Sequence, residues 1–198
     1  MSFWKYMVIP IFVALQAAVL VFLAPYLAKI NPNLATHEIL GSKGGLLTWV
    51  AFQSWAVYFL AGCTPKMGLK ALVGYAGGIV ASALLVELVG ILSTRCHLGE
   101  YSLAGAVFIV VIPLIMVEKV PGFNLVPAYF VGSGAFFSML AMFGMAKTAA
   151  DIAPLQKYLE IGKAEMVGAA VGLLFGFITV TFRGWYEKNF STPKIDAK

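Results

Sequence analysis

The sequence predicts an all-α integral membrane protein with six transmembrane helices, and three observations support this fold class. The 198 residues are 61% hydrophobic and only 12% charged, whereas a soluble domain carries roughly 25% charged residues. The apolar residues form six runs, most of them near the length of about 17–25 residues that spans a bilayer as a helix. A helix also satisfies its own backbone polar groups, as lipid requires. The lipid bilayer is therefore the first predicted partner.

The six predicted spans follow one another within a single transmembrane domain, residues 1–198. They cover residues 6–28, 46–62, 71–93, 103–117, 123–145 and 161–182. The first is too long for the apolar region of a signal peptide, so we expect it to be retained. The third is interrupted by Glu87, the fourth contains Pro113, and the sixth has Lys163 and Glu165 in its first turn. We expect residues 183–198 to form a polar cytoplasmic tail.

The distribution of lysine and arginine predicts the orientation of the chain in the membrane and argues against nucleic acid as a partner. Eight of the 14 bases fall in the amino terminus, the connections 63–70 and 118–122, and the carboxyl tail, against six on the other side. Basic loops favour the cytoplasm, so both termini are predicted to be cytoplasmic. The bases stand singly between apolar runs and form no patch, and we therefore expect no nucleic-acid binding.

The chain also resembles itself. Phe52 is followed by Tyr58 and Phe59 in span two, and Phe130 is followed by Phe136 and Phe137 at the same spacing in span five. Spans three and six share a Val-Gly string that begins at residues 73 and 167. These matches predict two three-helix repeats, the first at about 6–93 and the second at about 103–182. Because three crossings are an odd number, the second repeat enters the membrane inverted.

Small residues four apart lie on one face of spans three and six. They are Gly74, Gly78 and Ser82 in span three, and Gly168, Gly172 and Gly176 in span six. Such faces allow helices to approach closely, and we expect the two faces to pack against each other at the centre. Inverted repeats are the recurring construction of transporters, with the solute site where the halves meet.

Several motifs resemble a bacterial inner-membrane family, the domain-of-unknown-function-1097 family. They are Trp49-x-x-Phe52, Tyr58-Phe59 with Cys63, Gly68-Leu69-Lys70, Val126-Pro127-x-x-Phe130-x-Gly132 and Gly172-Leu-x-Phe175-Gly176. The resemblance covers spans two to six. It implies a multi-pass protein of the inner cell membrane, and the family name carries no activity.

Ten side chains are predicted to line a pore or bind a solute. They are Gln16, Phe52, Gln53, Ser54, Tyr58, Phe59, Glu87, Phe130, Ser133 and Phe137. Amides and hydroxyls can hydrogen-bond an uncharged solute, but they also join helices. Aromatic rings at matching depths select a solute by size, although core packing is the better explanation for any one ring taken alone.

The ionisable and metal-binding side chains support fewer conclusions. A carboxylate in hydrocarbon is costly. Glu87 is therefore a proton or cation site or part of a polar lining, or else it makes a structural hydrogen bond or lies nearer the headgroups, since Arg95 is only eight residues on. His37, Cys96 and His97 lie in loops on the predicted outer face, without the ligand spacing of a metal site, and no metal or cofactor is predicted. Cys63 and Cys96 are separated by one crossing, which places them too far apart for a disulfide.

The sequence therefore predicts a channel or facilitator for a small, uncharged or weakly charged solute such as urea, an amide, an alcohol or ammonia. Two alternatives stay open: a membrane scaffold or accessory subunit, and a proton-coupled secondary transporter that uses Glu87. We find no phosphate-binding glycine loop, nucleophile elbow or zinc-protease helix, so an enzyme is not predicted. A homo-oligomer is expected by analogy with other small channels.

Overall fold

The computed structural model describes residues 3–29, 38–39, 42–43, 45–144 and 153–190. Six helices run through these residues: α1 (Phe3–Ala28), α2 (Gly45–Leu60), α3 (Pro65–Thr94), α4 (Ser102–Met116), α5 (Val126–Gly144) and α6 (Pro154–Phe190). A two-residue antiparallel ribbon, β1 (Glu38–Ile39) with β2 (Ser42–Lys43), precedes α2. Short 3₁₀ turns flank α4. The fold is helical apart from this ribbon.

Each helix coincides with one predicted span, but α3 and α6 are longer than predicted. The α3 helix begins at Pro65, because the Thr64 side chain accepts a hydrogen bond from the Met67 amide and proline suits the first helical turn. The α6 helix continues to Phe190, through residues expected to lie in a polar tail. An ion pair from Arg183 to Glu187, one turn apart, is typical of a water-exposed helical extension.

Within the described residues, four helical segments are long and apolar enough to cross a membrane: Met7–Leu27, Pro65–Thr94, Gly99–Lys119 and Pro154–Phe190. Two shorter apolar helices, Gly45–Leu60 and Val126–Met142, accompany them. Large apolar side chains are exposed on the outside, among them Phe22, Leu60 and Phe108. Lipid is the solvent that tolerates such a surface. The chain is thus a helical, multi-pass membrane protein.

The closest helix contacts form two pairs, α2 with α6 and α3 with α5. A Cβ atom at Gly74 would meet Ala128, and one at Gly78 would meet the Tyr129 carbonyl and the Ser133 amide. The contact positions rise together along both helices, so α3 and α5 run parallel. Glycine is needed here because the backbones are in direct contact.

The second pair is built in the same way. A Cβ atom at Gly172 would meet the Ala51 carbonyl, and one at Gly176 would meet the Tyr58 side chain. The α6 and α2 helices therefore also run parallel. The expectation that the small-residue faces of α3 and α6 pack against each other is wrong, because each face lies against a different helix, α5 or α2.

The two pairs use equivalent residues. Gly78 and Gly172 are 94 residues apart, and the carbonyls that they approach, those of Tyr129 and Ala51, are 78 residues apart. These are the offsets at which the sequence repeats. The α3 and α6 helices meet between the pairs, where Ile79 contacts Gly162. The Tyr158 hydroxyl bonds Glu87 beyond that contact, so these two helices are antiparallel.

Candidate functional site

A buried carboxyl without a partner lies at the junction of α3 and α6. The Glu165 side chain is 0% exposed, and neither of its oxygens accepts or donates a hydrogen bond within the described part of the chain. Tyr75 on α3 is also 0% exposed, with an unpartnered hydroxyl, and it interacts electrostatically with Glu165. Buried polar atoms are almost always hydrogen-bonded. Two such groups on facing helices make this junction the candidate binding site.

The local sequence explains why Glu165 is buried. It precedes Gly168 by three residues, so it lies on the same helix face as the small residues that pack against α2. Ile161, Ala164 and Ala169 around it are buried as well. The α2 and α5 helices contain no Asp, Glu, Lys, Arg or His. The carboxyl thus enters an interior that supplies no opposite charge from these helices.

Glu165 was missing from the predicted solute site. The predicted sixth span begins at residue 161, which places Glu165 in its first turn. The helix instead begins at Pro154 and puts Glu165 well inside. Its spacing of three, seven and eleven residues from Gly168, Gly172 and Gly176 is the signal that identifies its face from sequence alone.

Gln16 belongs to a buried network among α1, α2 and α6. The Trp55 indole donates to the Thr179 hydroxyl at 3.1 Å, and that hydroxyl lies 2.8 Å from the Gln16 carbonyl oxygen. The Gln16 amide donates to the Phe175 carbonyl at 3.3 Å. Side-chain hydrogen bonds of this kind join membrane helices. The geometry of Gln16 is thus that of a helix-joining group.

The predicted serines lie where the paired helices touch. Ser54 donates toward the Ala51 carbonyl at 3.1 Å and lies 3.5 Å from the Gly168 carbonyl. Ser133 donates to the Gly78 carbonyl at 3.1 Å. Two other predicted polar groups differ, because the Gln53 carbonyl oxygen and the Tyr58 hydroxyl are buried without a partner in the described chain. These two retain hydrogen-bonding capacity for a solute.

The predicted aromatic side chains are not brought together. Phe52 stacks on Trp55 with ring centroids 6.0 Å apart, and Phe137 packs edge-on against Phe136 at 6.1 Å. Phe59 and Phe130 are 42% and 53% exposed on the outside of the single chain. Rings at these positions face lipid or another subunit, so one chain does not form a constriction from all of them.

Glu87 is exposed rather than buried. Its carboxylate accepts a hydrogen bond from the Tyr158 hydroxyl at 2.9 Å. It also lines one side of an apolar groove of about 780 Å³ between α3 and α4, beside Leu84 and Ile91. A satisfied carboxylate at the edge of a groove matches the structural-partner interpretation of this residue more closely than a buried ion site.

The loop residues that were considered for a metal are only partly described. Cys96 and His97 are exposed in the connection after α3, and Cys63 and Cys96 are free thiols. His37 lies outside the described residues. Among the residues that the structure describes, no three His, Cys, Asp or Glu side chains form a group that could hold a metal ion.

One family matches the chain. The family described as "Protein of unknown function (DUF1097)" matches residues 10–179, a range that begins within α1, ends within α6 and includes the four helices between them. No curated protein and no solved structure matches. The match confirms the resemblance carried by the aromatic and glycine motifs, and the chain belongs to the DUF1097 family of proteins of unknown function.

Proposed function

We propose that this protein moves a small solute across the inner cell membrane through a path between two inverted three-helix halves. The observation that carries the proposal is the equivalent packing of the two helix pairs, α3 on α5 and α6 on α2. Gly78 and Gly172 approach the carbonyls of Tyr129 and Ala51 at the two offsets of the sequence repeat. A duplicated and inverted unit is the recurring plan of transporters.

The helix directions support six crossings. Helices α3 and α5 run parallel, α2 and α6 run parallel, and α3 opposes α6, as alternating spans require. At about 1.5 Å per residue, the 16 residues of α2 and the 19 of α5 extend about 24 and 28 Å. The hydrocarbon core is about 30 Å thick. Both short helices are thus long enough to cross a slightly thinned bilayer. An even number of crossings puts both termini on one side, which we propose is the cytoplasm because of the basic loops.

Unpartnered polar atoms support an uncharged or weakly charged solute. The Gln53 carbonyl oxygen, the Tyr58 and Tyr75 hydroxyls and Glu165 are buried with unused hydrogen-bonding capacity in the described chain. They replace the hydrogen bonds that a solute leaves behind in water. Urea, an amide, an alcohol and ammonia all have this chemistry. The analogy with other inverted repeats concerns architecture, and the polar atoms carry the argument about the solute.

The test is solute flux into proteoliposomes. The panel is urea, acetamide, glycerol, ammonia, formate and water, each compared with protein-free liposomes. We expect flux of at least one solute, reduced by Gln53→Leu and unchanged by Ser138→Ala, because Ser138 is exposed and bonds only its own helix. Flux no faster than that of protein-free liposomes for every solute of the panel would overturn the proposal.

A second candidate function, accessory subunit or scaffold, is favoured by the apolar groove between α3 and α4. It runs beside Val80, Leu84 and Ile109 and leaves an open apolar flank of about 780 Å³. In a membrane complex, a helix of another subunit would fill it, whether a second copy of this chain or a different protein. A foreign protein that copurifies in fixed stoichiometry supports this alternative, and a homo-oligomer without flux counts against transport.

A further inference from the structure

We infer that Glu165, which faces the α3 helix that carries Tyr75, is the proton-binding site that couples solute movement to a proton in this protein. The inference rests on the proposed transport function and names the group that carries the proton. It replaces Glu87, the residue that sequence reasoning selected for this role.

The geometry sets this site apart from every other carboxyl whose surroundings the structure describes. Glu165 is 0% exposed and both of its oxygens lack a partner in the described chain. Glu87 is exposed and accepts a hydrogen bond from Tyr158, and Glu187 is exposed and paired with Arg183. A buried ionisable group within membrane helices marks an ion or proton pathway.

The two lysines of α3 are occupied or exposed, since Lys70 donates a hydrogen bond to Asn124 and Lys66 is exposed. Tyr75 is the titratable group on α3 that interacts with Glu165, and α2 and α5 carry no charged residue. Their tyrosines lie elsewhere: Tyr58 packs against Gly176, and the Tyr129 hydroxyl donates to the Phe123 carbonyl. Lys163, two residues away on α6, is exposed. An ionised carboxylate without a partner is far more costly to bury than a neutral acid. A proton is therefore the charge that this interior accepts.

The site occurs once in each chain. At the repeat offset of 94 residues, the positions equivalent to Glu165 and Tyr75 are Ala71 and Ala169, and both alanines are 0% exposed. The packing is thus repeated, but the polar pair is not. The pair lies between α3 of one half and α6 of the other, where relative movement of the halves changes which side water reaches.

The proton step balances without another reactant. When water reaches the site from one side, the Glu165 carboxylate takes a proton from hydronium and becomes a neutral acid, which the closed interior tolerates. When the site opens to the other side, the acid returns the proton to water and becomes a carboxylate again. The Tyr75 hydroxyl is unpartnered in the described chain, so its O–H is free to donate to a charged acceptor in that open state. No electrons move and no bond forms other than the O–H bond.

Dicyclohexylcarbodiimide provides a test that needs no solute. This apolar reagent adds to protonated carboxyl groups inside membranes, and mass spectrometry locates the adduct. We expect an adduct at Glu165 that decreases as the pH is raised, is lost in Glu165→Gln and persists in Glu87→Gln. Glu165→Gln keeps the shape of the side chain, and an unchanged elution profile checks that it folds. Absence of an adduct at Glu165 at every pH would overturn the inference.

Flux separates failure of the inference from failure of the proposed function. We expect a pH gradient across the liposome to raise uptake of the transported solute in the native protein and in Glu87→Gln. In Glu165→Gln, we expect this stimulation of uptake to be at least tenfold smaller. Equal stimulation in Glu165→Gln overturns the coupling role and leaves passive transport intact. Absence of flux for the whole panel in the native protein overturns both.

Discussion

Replacing Gly172 with alanine should loosen the contact between α6 and α2. The added methyl group would meet the Ala51 carbonyl and the Ser54 hydroxyl. The Ala51 carbonyl is backbone, so the clash cannot be relieved by a side-chain rotation, and α2 must move as a whole. Gly184 on the same helix is the matched control, because a Cβ atom there meets nothing within 4 Å.

The expected magnitude follows from two opposing effects. Alanine is favoured over glycine in a helix by about 1 kcal/mol, and this gain applies to both variants. Overpacking a close contact costs about 1–3 kcal/mol, and a backbone clash belongs at the upper end. We therefore expect Gly172→Ala to lower the free energy of unfolding by about 2 kcal/mol, and Gly184→Ala to leave it unchanged or raise it by up to about 1 kcal/mol.

The assay is reversible unfolding in mixed micelles with increasing sodium dodecyl sulfate, followed by circular dichroism. Gly78→Ala should behave like Gly172→Ala, because its methyl group would meet the equivalent carbonyl, that of Tyr129. If Gly172→Ala and Gly184→Ala have the same stability, the α6–α2 contact is not as close as described, and the argument from equivalent packing fails with it.

Three further substitutions test single contacts in the same unfolding assay. Thr179→Val should lower the free energy of unfolding by about 1–2 kcal/mol, since it leaves the Trp55 indole N–H buried without an acceptor. Thr94→Val, at an exposed threonine, is the control. Equal losses in the two variants would contradict the buried network. Glu165→Met should raise stability by about 1–3 kcal/mol, because an unsatisfied polar group is replaced by an apolar one of similar length, and a loss would show that the carboxyl has a partner. Tyr158→Phe should cost at most about 1 kcal/mol, as it removes one hydrogen bond to an exposed carboxylate; a larger loss would indicate that this bond is buried.

The helices can be predicted from the sequence because a segment that crosses lipid must be a long apolar helix. Long apolar runs separated by Gly, Pro and charged residues place each helix to within a few residues, apart from the ends of α3 and α6. The start of α6 at Pro154 is not predicted from hydropathy, because residues 154–160 include the polar side chains of Lys157 and Glu160. A hydropathy pattern stops at such residues, whereas helical hydrogen bonding continues through them.

Which helices pack against each other cannot be predicted from the sequence in the same way. Gly74 and Gly168 identify faces that allow close approach, but any helix of the right shape can occupy such a face. The choice of α5 over α6 depends on Ala128 and Tyr129, whose fit with Gly74 and Gly77 appears only in three dimensions. Glu165 was overlooked for a related reason, since its burial depends on where α6 begins and on which helices surround it.

The two halves are expected to lie in opposite orientations in the membrane, and labelling with a membrane-impermeant maleimide measures this directly. Single cysteines replace Lys66, Glu118 or Ala153 in a chain in which Cys63 and Cys96 are changed to serine. A fourth variant, Cys63→Ser alone, keeps the native Cys96 as its single cysteine. All four positions are exposed. Lys66 and Ala153 stand at the starts of α3 and α6, the equivalent helices of the two halves. Six alternating crossings predict that, in intact right-side-out vesicles, the reagent reaches positions 96 and 153 but not 66 and 118. Labelling of positions 66 and 153 from the same side would contradict the inverted architecture.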